Sequence, residues 1–465
     1  MTFIVAPVAV LIGAGIVLAL IDGTRRAAGV VAIAALTVAT VMLCVLLGRV
    51  AADGPQAVVA GGWPADVGIT LRVDALGAVF AATSLAIVLA CAVQTVLRGV
   101  SSRITLALTV FMGAGLTGLF LTGDIFSFYV FFELAMICAY GLTAAEGTEG
   151  RFRAAFTFAV VNLVGSFLFL IAIGALYRAT GTLEMLAVAE RAAELNPNTA
   201  LLLAVTFLVA FGVKLGLFPF HAWLPAVYLA VPAWIAAMFA GALANIGAYG
   251  LVRFGGAILP RELGVAAVAV IALGGVSIAY GAVQAMSRRA TREVLAYSSI
   301  GHAGYVLVAL GLGGPVGLAA AVIFSIANSL NKALLFLSAE LRGPLTAGVF
   351  LVGTLSVAGV PPSAGFFGKA ALFEAGVDAG SIATVVLLFV GGALSFVYLL
   401  QIYQHDRWRP REERDVPTPK EIAPRAQRTV AAVVAAVVLA LGLWPQPLLA
   451  IGDQAAAELT VEAPR

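Results

Sequence analysis

Four charged side chains stand in stretches that are otherwise apolar: Glu133 in FYVFFELAMICAYG, Lys214 in FLVAFGVKLGLFPFHAWLP, Lys332 in ANSLNKALLFL and Lys369 in PPSAGFFGKAALF. In hydrocarbon a charge at mid-helix costs about 2.5–3.5 kcal/mol on insertion scales, so such residues face a bundle interior and mark ion paths. The chemistry open to them is proton transfer. Burial disfavours an ammonium and a nearby carboxylate favours it, so a lysine beside a movable carboxylate can hold or release a proton. Snorkelling to an interface is the bland alternative for a lysine. Lys214 has a long apolar run behind it, FLVAFGV, which argues against that; Lys332 has Asn328 and Asn331 nearby, with which it could form a purely structural polar patch.

Prolines flank two of the lysines. Lys214 is followed by Pro219 and Pro225, and Lys369 is preceded by Pro361 and Pro362 among Gly359, Gly365 and Gly368. A helix broken inside a membrane is tolerated only where protein or a water-filled cavity satisfies the freed backbone groups. Breaks are therefore expected near Leu217–Pro219 and Val360–Pro362. Inverted repeats with discontinuous helices recur in membrane transporters, and Lys214 and Lys369 fall five spans apart. An odd offset makes the two units cross the membrane in opposite senses.

The elements that must position these groups are membrane helices. Of 465 residues, 62% are hydrophobic and 11% charged, against roughly 25% charged in soluble domains, which excludes a soluble globular protein. Windows of about 19 residues give spans near 3–21, 27–47, 73–97, 104–122, 125–145, 154–177, 199–217, 232–254, 263–286, 293–313, 316–339, 347–375, 381–403 and 428–450. The fold class is all-α, polytopic, with about fourteen transmembrane helices. Two inverted five-helix repeats are expected, with helices 7 and 12 broken. The chain divides into a three-span segment (1–103), a first unit of spans 4–8 (104–254), a second of spans 9–13 (263–403), and a cytoplasmic loop with a C-terminal span (404–465).

No basic region precedes the first run, so it reads as a retained span and not a cleaved signal. Of the 27 basic residues, three are the lysines inside spans. Seventeen of the others fall on the side of Arg25, Arg288 and Arg407, and seven on the side of Arg49, Arg72 and Arg253. The positive-inside rule places the richer side in the cytoplasm and both termini outside. A net charge of +3 is too small and scattered for a nucleic-acid partner. Cys44, Cys91 and Cys138 all lie in apolar runs, so no disulfide framework, zinc site or other cofactor is encoded.

Longer stretches carry a resemblance: GGWPADVGITLRVDALGAVF (61–80), LTGDIFSFYVFFELAMICAYGLTA (121–144), KLGLFPFHAWLPAVYLAVPA (214–233), SRRATREVLAYSSIGHAGYVLVALGLG (287–313), NSLNKALLFL (328–337) and VGTLSVAGVPPSAGFFGKAALFEAG (352–376). The chain resembles the antiporter-like membrane subunits shared by Mrp-type multi-subunit cation/proton antiporters and the membrane arm of respiratory complex I. Its GGWPADVGI and LGLWPQPLL segments are most similar to the D-type branch of the Mrp subunits. The largest subunits of both assemblies carry long C-terminal extensions, and a chain stopping at Arg465 is not expected to be one of them.

The resemblance implies that Glu133 and Lys214 are the interacting pair of a first half-channel, that Lys369 is the broken-helix lysine of a second, and that His302 sits between them. With an unperturbed pKa of about 6.5, histidine both accepts and donates near neutral pH. Lys332 matches the lysine of an HxxxK motif whose histidine is here Asn328, and Asn245 stands where family members commonly carry a lysine. Both departures replace a titrating group by one that does not titrate. The stretch from Glu340 to Gly348 is shorter than the family pattern. His221, in a proline-rich turn, reads as a hydrogen-bonded structural histidine, and His405, in a charged loop, as solvated.

What this implies is a subunit of a multi-subunit monovalent cation/proton antiporter in a bacterial plasma membrane, a transporter subunit with no redox centre of its own. Its partners would be the other membrane subunits, protons, Na⁺ or K⁺, and the lipid bilayer. One alternative is a membrane-arm subunit of a redox-driven, complex I-like or hydrogenase-like proton pump. Asn245 and Asn328 raise another, a divergent scaffold subunit that no longer conducts.

Overall fold

The computed structural model describes residues 2–59, 68–145, 147–408 and 424–462. The first residues of the 61–80 motif, the loop basic residues Arg409, Arg411, Arg414 and Lys420, and the terminal residue Arg465 lie outside the described residues. Among the described residues, twelve helices are long and apolar enough to cross a membrane, from Phe3–Leu20 to Arg425–Leu443. The expected fourteen includes two shorter apolar helices, Thr105–Phe120 and Pro344–Ala358. In lipid a helix is the solution that satisfies every backbone group within one segment.

Burial ranks these helices by position. The apolar windows of Ala233–Ile258 and Gly314–Ala339 are 94% buried and that of Thr291–Leu312 is 89% buried, whereas Arg26–Asp53 reaches only 28%. The three buried helices form the central pillar, and they carry Asn245, His302, Asn328 and Lys332 between them. Ala233–Ile258 is irregular, with π-helical segments at Phe239–Leu243 and Leu251–Ile258.

Both breaks fall where the prolines place them. Pro197–Leu215 ends at Gly216 (φ 69°), and a 3₁₀ turn, Phe220–Ala222, leads into Trp223–Ala230. Pro344–Ala358 ends at Gly359 (φ 84°), and the chain resumes at Ala364–Asp378. The two ends share one hydrogen-bond pattern. Gly216 N–H reaches Val213 O and Leu217 N–H reaches Gly212 O; Gly359 N–H reaches Ser356 O and Val360 N–H reaches Leu355 O. This is the Schellman arrangement, which needs a left-handed residue and so selects glycine. Phe218–Pro219 and Pro361–Pro362 are cis.

One face of the bundle carries a short hairpin, β1 (Gln56–Val59) paired antiparallel with β2 (Thr70–Val73), Gln56 opposite Val73. Its ladder continues through Arg72 N–H to Leu121 O, Gly123 N–H to Thr70 O and Met185 N–H to Gly123 O. Arg288, Arg289 and Arg292 belong to the opposite face.

The C-terminal expectation needs correction. The last crossing helix is Arg425–Leu443, and a separate helix, Gln446–Glu462, follows it where the hydropathy windows place a single span near 428–450. This last helix packs against Gly314–Ala339 and Ala75–Arg98, with Leu448, Ile451, Ala455, Ala456 and Leu459 buried. Gln454 Nε2 donates to Val50 O, and Glu458 Oε2 accepts from the backbone N–H of Ala75.

Candidate functional site

All three lysines inside spans are buried: Lys332 is 0% exposed, Lys214 and Lys369 6%. The snorkelling alternative is therefore set aside for each. Among the described residues, none lies within ion-pair distance of a carboxylate; each is held by neutral oxygens.

Lys214, at the last turn before the first break, donates to Asn162 O and Ser166 Oγ, each at 2.9 Å. Its Nζ stands 4.3 Å from the centroid of the Phe132 ring, a cation–π contact. Phe132 is the neighbour of Glu133 on Ile125–Ala144. Glu133 and Lys214 are thus on adjoining elements but do not form a direct ion pair, and among the described residues Glu133 Oε1, which is buried, has no hydrogen-bond partner. Groups freed by the break are met by side chains: Trp223 Nε1 donates to Val213 O at 2.9 Å, and Phe218 N–H donates to Ser277 Oγ at 3.2 Å.

A second cluster surrounds Ser298. Its Oγ lies 2.7 Å from Lys332 Nζ, 2.9 Å from Tyr398 Oη and 3.4 Å from His302 Nδ1. Tyr398 Oη continues to Ser395 Oγ at 3.2 Å. Beside the cluster is a cavity of about 20 Å³ lined by Asn245, Asn328, His302, Lys332, Ser299 and Ser325. That is room for about one water. Leu215, next to Lys214, also borders it. Asn245 is anchored, its Nδ2 donating to Ser84 Oγ (2.9 Å) and its Oδ1 accepting from Ser329 Oγ (2.7 Å).

Lys369 follows the second break. Its Nζ donates to Ala358 O, a carbonyl freed by that break, at 3.1 Å, and lies 5.7 Å from the Tyr305 ring centroid. The Tyr305 and His302 rings are 5.8 Å apart. A cavity of about 600 Å³ lined by Gly359, Phe366, Phe373, Phe389 and Phe396 opens onto the lysine.

The structure therefore gathers His302, Lys332, Asn245 and Asn328 at one cavity, borders it with Leu215, the residue after Lys214, and reaches Lys369 through Tyr305. Asn162, Ser166, Ser298 and Tyr398 were not singled out in the sequence. The signal for the first two was an i, i+4 polar pair in FAVVNLVGSF. His221, expected as a hydrogen-bonded structural histidine, instead stacks on Phe218 and lies 4.4 Å from the tilted Tyr280 ring, its Nδ1 buried without a hydrogen-bond partner among the described residues. His405, expected as solvated, is only 15% exposed in its side chain and adjoins Asp406.

Buried titratable groups strung through a bundle of broken helices define a membrane protein of the ion-translocating class. The family described as NADH:quinone oxidoreductase/Mrp antiporter, TM, matches residues 122–395, and the chain belongs to it. The D subunit of the Na⁺/H⁺ antiporter of Bacillus subtilis (strain 168) is 29% identical, over 98% of this chain and 97% of that one. A chain of the Mrp complex from Dietzia sp. DQ12-45-1b superposes with a TM-score of 0.88 at 25% identity, covering 99% and 98%. A chain of respiratory complex I from Thermus thermophilus with bound NADH gives 0.84 at 26%, covering 98% and 99%.

Proposed function

We propose that the chain is the D-type membrane subunit of a multi-subunit monovalent cation/proton antiporter and carries protons along Glu133, Lys214, His302, Lys332 and Lys369. The observation that carries the reading is the state of the lysines: three are buried and held by neutral oxygens, with no carboxylate at ion-pair distance among the described residues. Burying a charge without a paired charge is costly, and a site that only stabilises the fold gains nothing from three such groups. An ammonium only donates hydrogen bonds, whereas an amine that has lost its proton can accept from Ser166 or Ser298, so the Lys214 and Lys332 sites are built to exist in both forms. In this reading Glu133 swings toward Lys214 to load it, and its unpaired Oε1 is the free end of that motion.

The cavity at Asn245 and Asn328 supplies by water what two titrating side chains would otherwise supply. Residues 104–254 and 263–403 are read as inverted units, supported by the matching Schellman ends of their broken helices. The hairpin face is read as outward from the distribution of Arg and Lys, in a bacterial plasma membrane. Likeness to complex I of Thermus thermophilus favours a second reading, a subunit of a redox-driven pump. The subunits that co-purify separate the two.

The test is cation-dependent proton transport in inverted vesicles containing the assembled complex, with subunit levels matched. Glu133→Ala is expected to lose most transport, and Glu133→Asp to keep a substantial part because the charge remains on a shorter stem. Wild-type transport in Glu133→Ala would overturn the reading.

A further inference from the structure

A proton path through the central cavity must be closed toward one face, or protons would cross without being coupled to the cation. Between the cavity and the hairpin face stands a group of residues that the path does not use. Asn245, Tyr249 and Arg253 follow one another at four-residue spacing, and eight residues of helix set Arg253 about 12 Å from Asn245 along the axis. Tyr249 is fully buried and ringed by Phe80, Phe120 and Phe128, at centroid distances of 5.6, 5.0 and 5.9 Å. Narrow apolar constrictions exclude water, and an arginine in a pore is an electrostatic barrier to protons.

Beyond the collar, Arg253 Nη2 lies 2.5 Å from Asp74 Oδ2, with both side chains buried. Its Nε and Nη2 also donate to Tyr249 Oη, at 3.3 and 3.2 Å. Asp74 caps Ala75–Arg98 by accepting from Gly77 N–H and has Arg72 at 4.0 Å. Glu458, brought in by the C-terminal helix, accepts from Ala75 N–H beside it. A guanidinium has no acceptor and does not give up its proton in proteins, so this row cannot relay protons.

We propose that the aromatic collar around Tyr249 and the Arg253–Asp74 ion pair form a proton seal between the central cavity and the hairpin face. The seal rests on the proton-path reading of the proposed function, and it assigns Arg253 to coupling. It acts by excluding water and by placing a guanidinium that keeps its proton, locked to Asp74, on the stretch of the Ala233–Ile258 helix that leads from Asn245 to that face.

The experiment measures passive decay of an imposed pH gradient in vesicles holding the assembled complex, with Na⁺ and K⁺ absent. Wild type is expected to decay at nearly the rate of vesicles lacking the complex. Arg253→Gln, in which Asp74 keeps Arg72 and its helix cap, is expected to leak several-fold faster, and Arg253→Lys to restore part of the tightness. Should Arg253→Gln fail to accumulate, the Asp74→Asn/Arg253→Gln double variant removes both charges of the pair together and is expected to leak likewise. An accumulating variant of either kind that leaks at the wild-type rate overturns the seal, while loss of antiport in Glu133→Ala would still uphold the path. Retained antiport in Glu133→Ala overturns the path and the seal with it.

Discussion

One hydroxyl at Ser298 serves three buried groups, Lys332, Tyr398 and His302. Removing it takes from Lys332 the hydroxyl that holds it and leaves Tyr398 with Ser395, and an orphaned buried polar group costs about 1–3 kcal/mol. Ser298→Ala is expected to reduce proton-coupled transport strongly, and Ser298→Thr to recover much of it. Transport normalised to subunit level checks this, and wild-type activity in the alanine variant would remove Ser298 from the path. The lysines were legible in the sequence because a charge inside an apolar run has few explanations. The hydroxyls that hold them were not, since a serine in a membrane helix usually bonds back to the carbonyl four residues earlier. Ser299 and Ser325 do so, and nothing in the sequence distinguishes Ser298 from them. The pairing of Glu133 with Lys214 was expected as contact, yet Phe132 occupies the near side of the amine.

At the scale of elements, the two breaks depend on glycine more than on proline. Gly216 and Gly359 are left-handed, a conformation that costs roughly 1–2 kcal/mol for residues with a Cβ. At Gly216 a Cβ would also collide with Leu224. Gly216→Ala is expected to lower the unfolding temperature of the detergent-purified complex by several degrees and to weaken transport by displacing Lys214. Gly359→Ala is expected to do the same through Lys369. Unchanged stability and transport in both would mean that the breaks do not position the lysines. The prolines announced where the chain would break, but the Schellman closure and the side chains that meet the freed carbonyls are tertiary. The helix Gln446–Glu462 was hidden because Asp453, Glu458 and Glu462 dilute its hydropathy, so a window centred on 428–450 merges it with the preceding span.

Direction is a property of the whole molecule. The hairpin, the Arg253–Asp74 pair and the end of the last helix share one face, while Arg288, Arg289 and Arg292 belong to the other. In the proposed orientation the second face, with its excess of arginine and lysine, is turned to the cytoplasm. In a background with the exposed Cys44 replaced by serine, Ala57→Cys, at the exposed residue of β1, and Ser287→Cys at an exposed helix end give opposite readings. A membrane-impermeant maleimide applied to intact cells is expected to label Cys at 57 and to reach 287 only after permeabilisation. The reverse pattern would turn the molecule over, and the consequences are specific. Lys214 would then load from the other side, and the seal would guard the cytoplasmic mouth. The passive leak of Arg253→Gln would remain, since leak has no preferred direction, but its effect on antiport would be read against the opposite gradient.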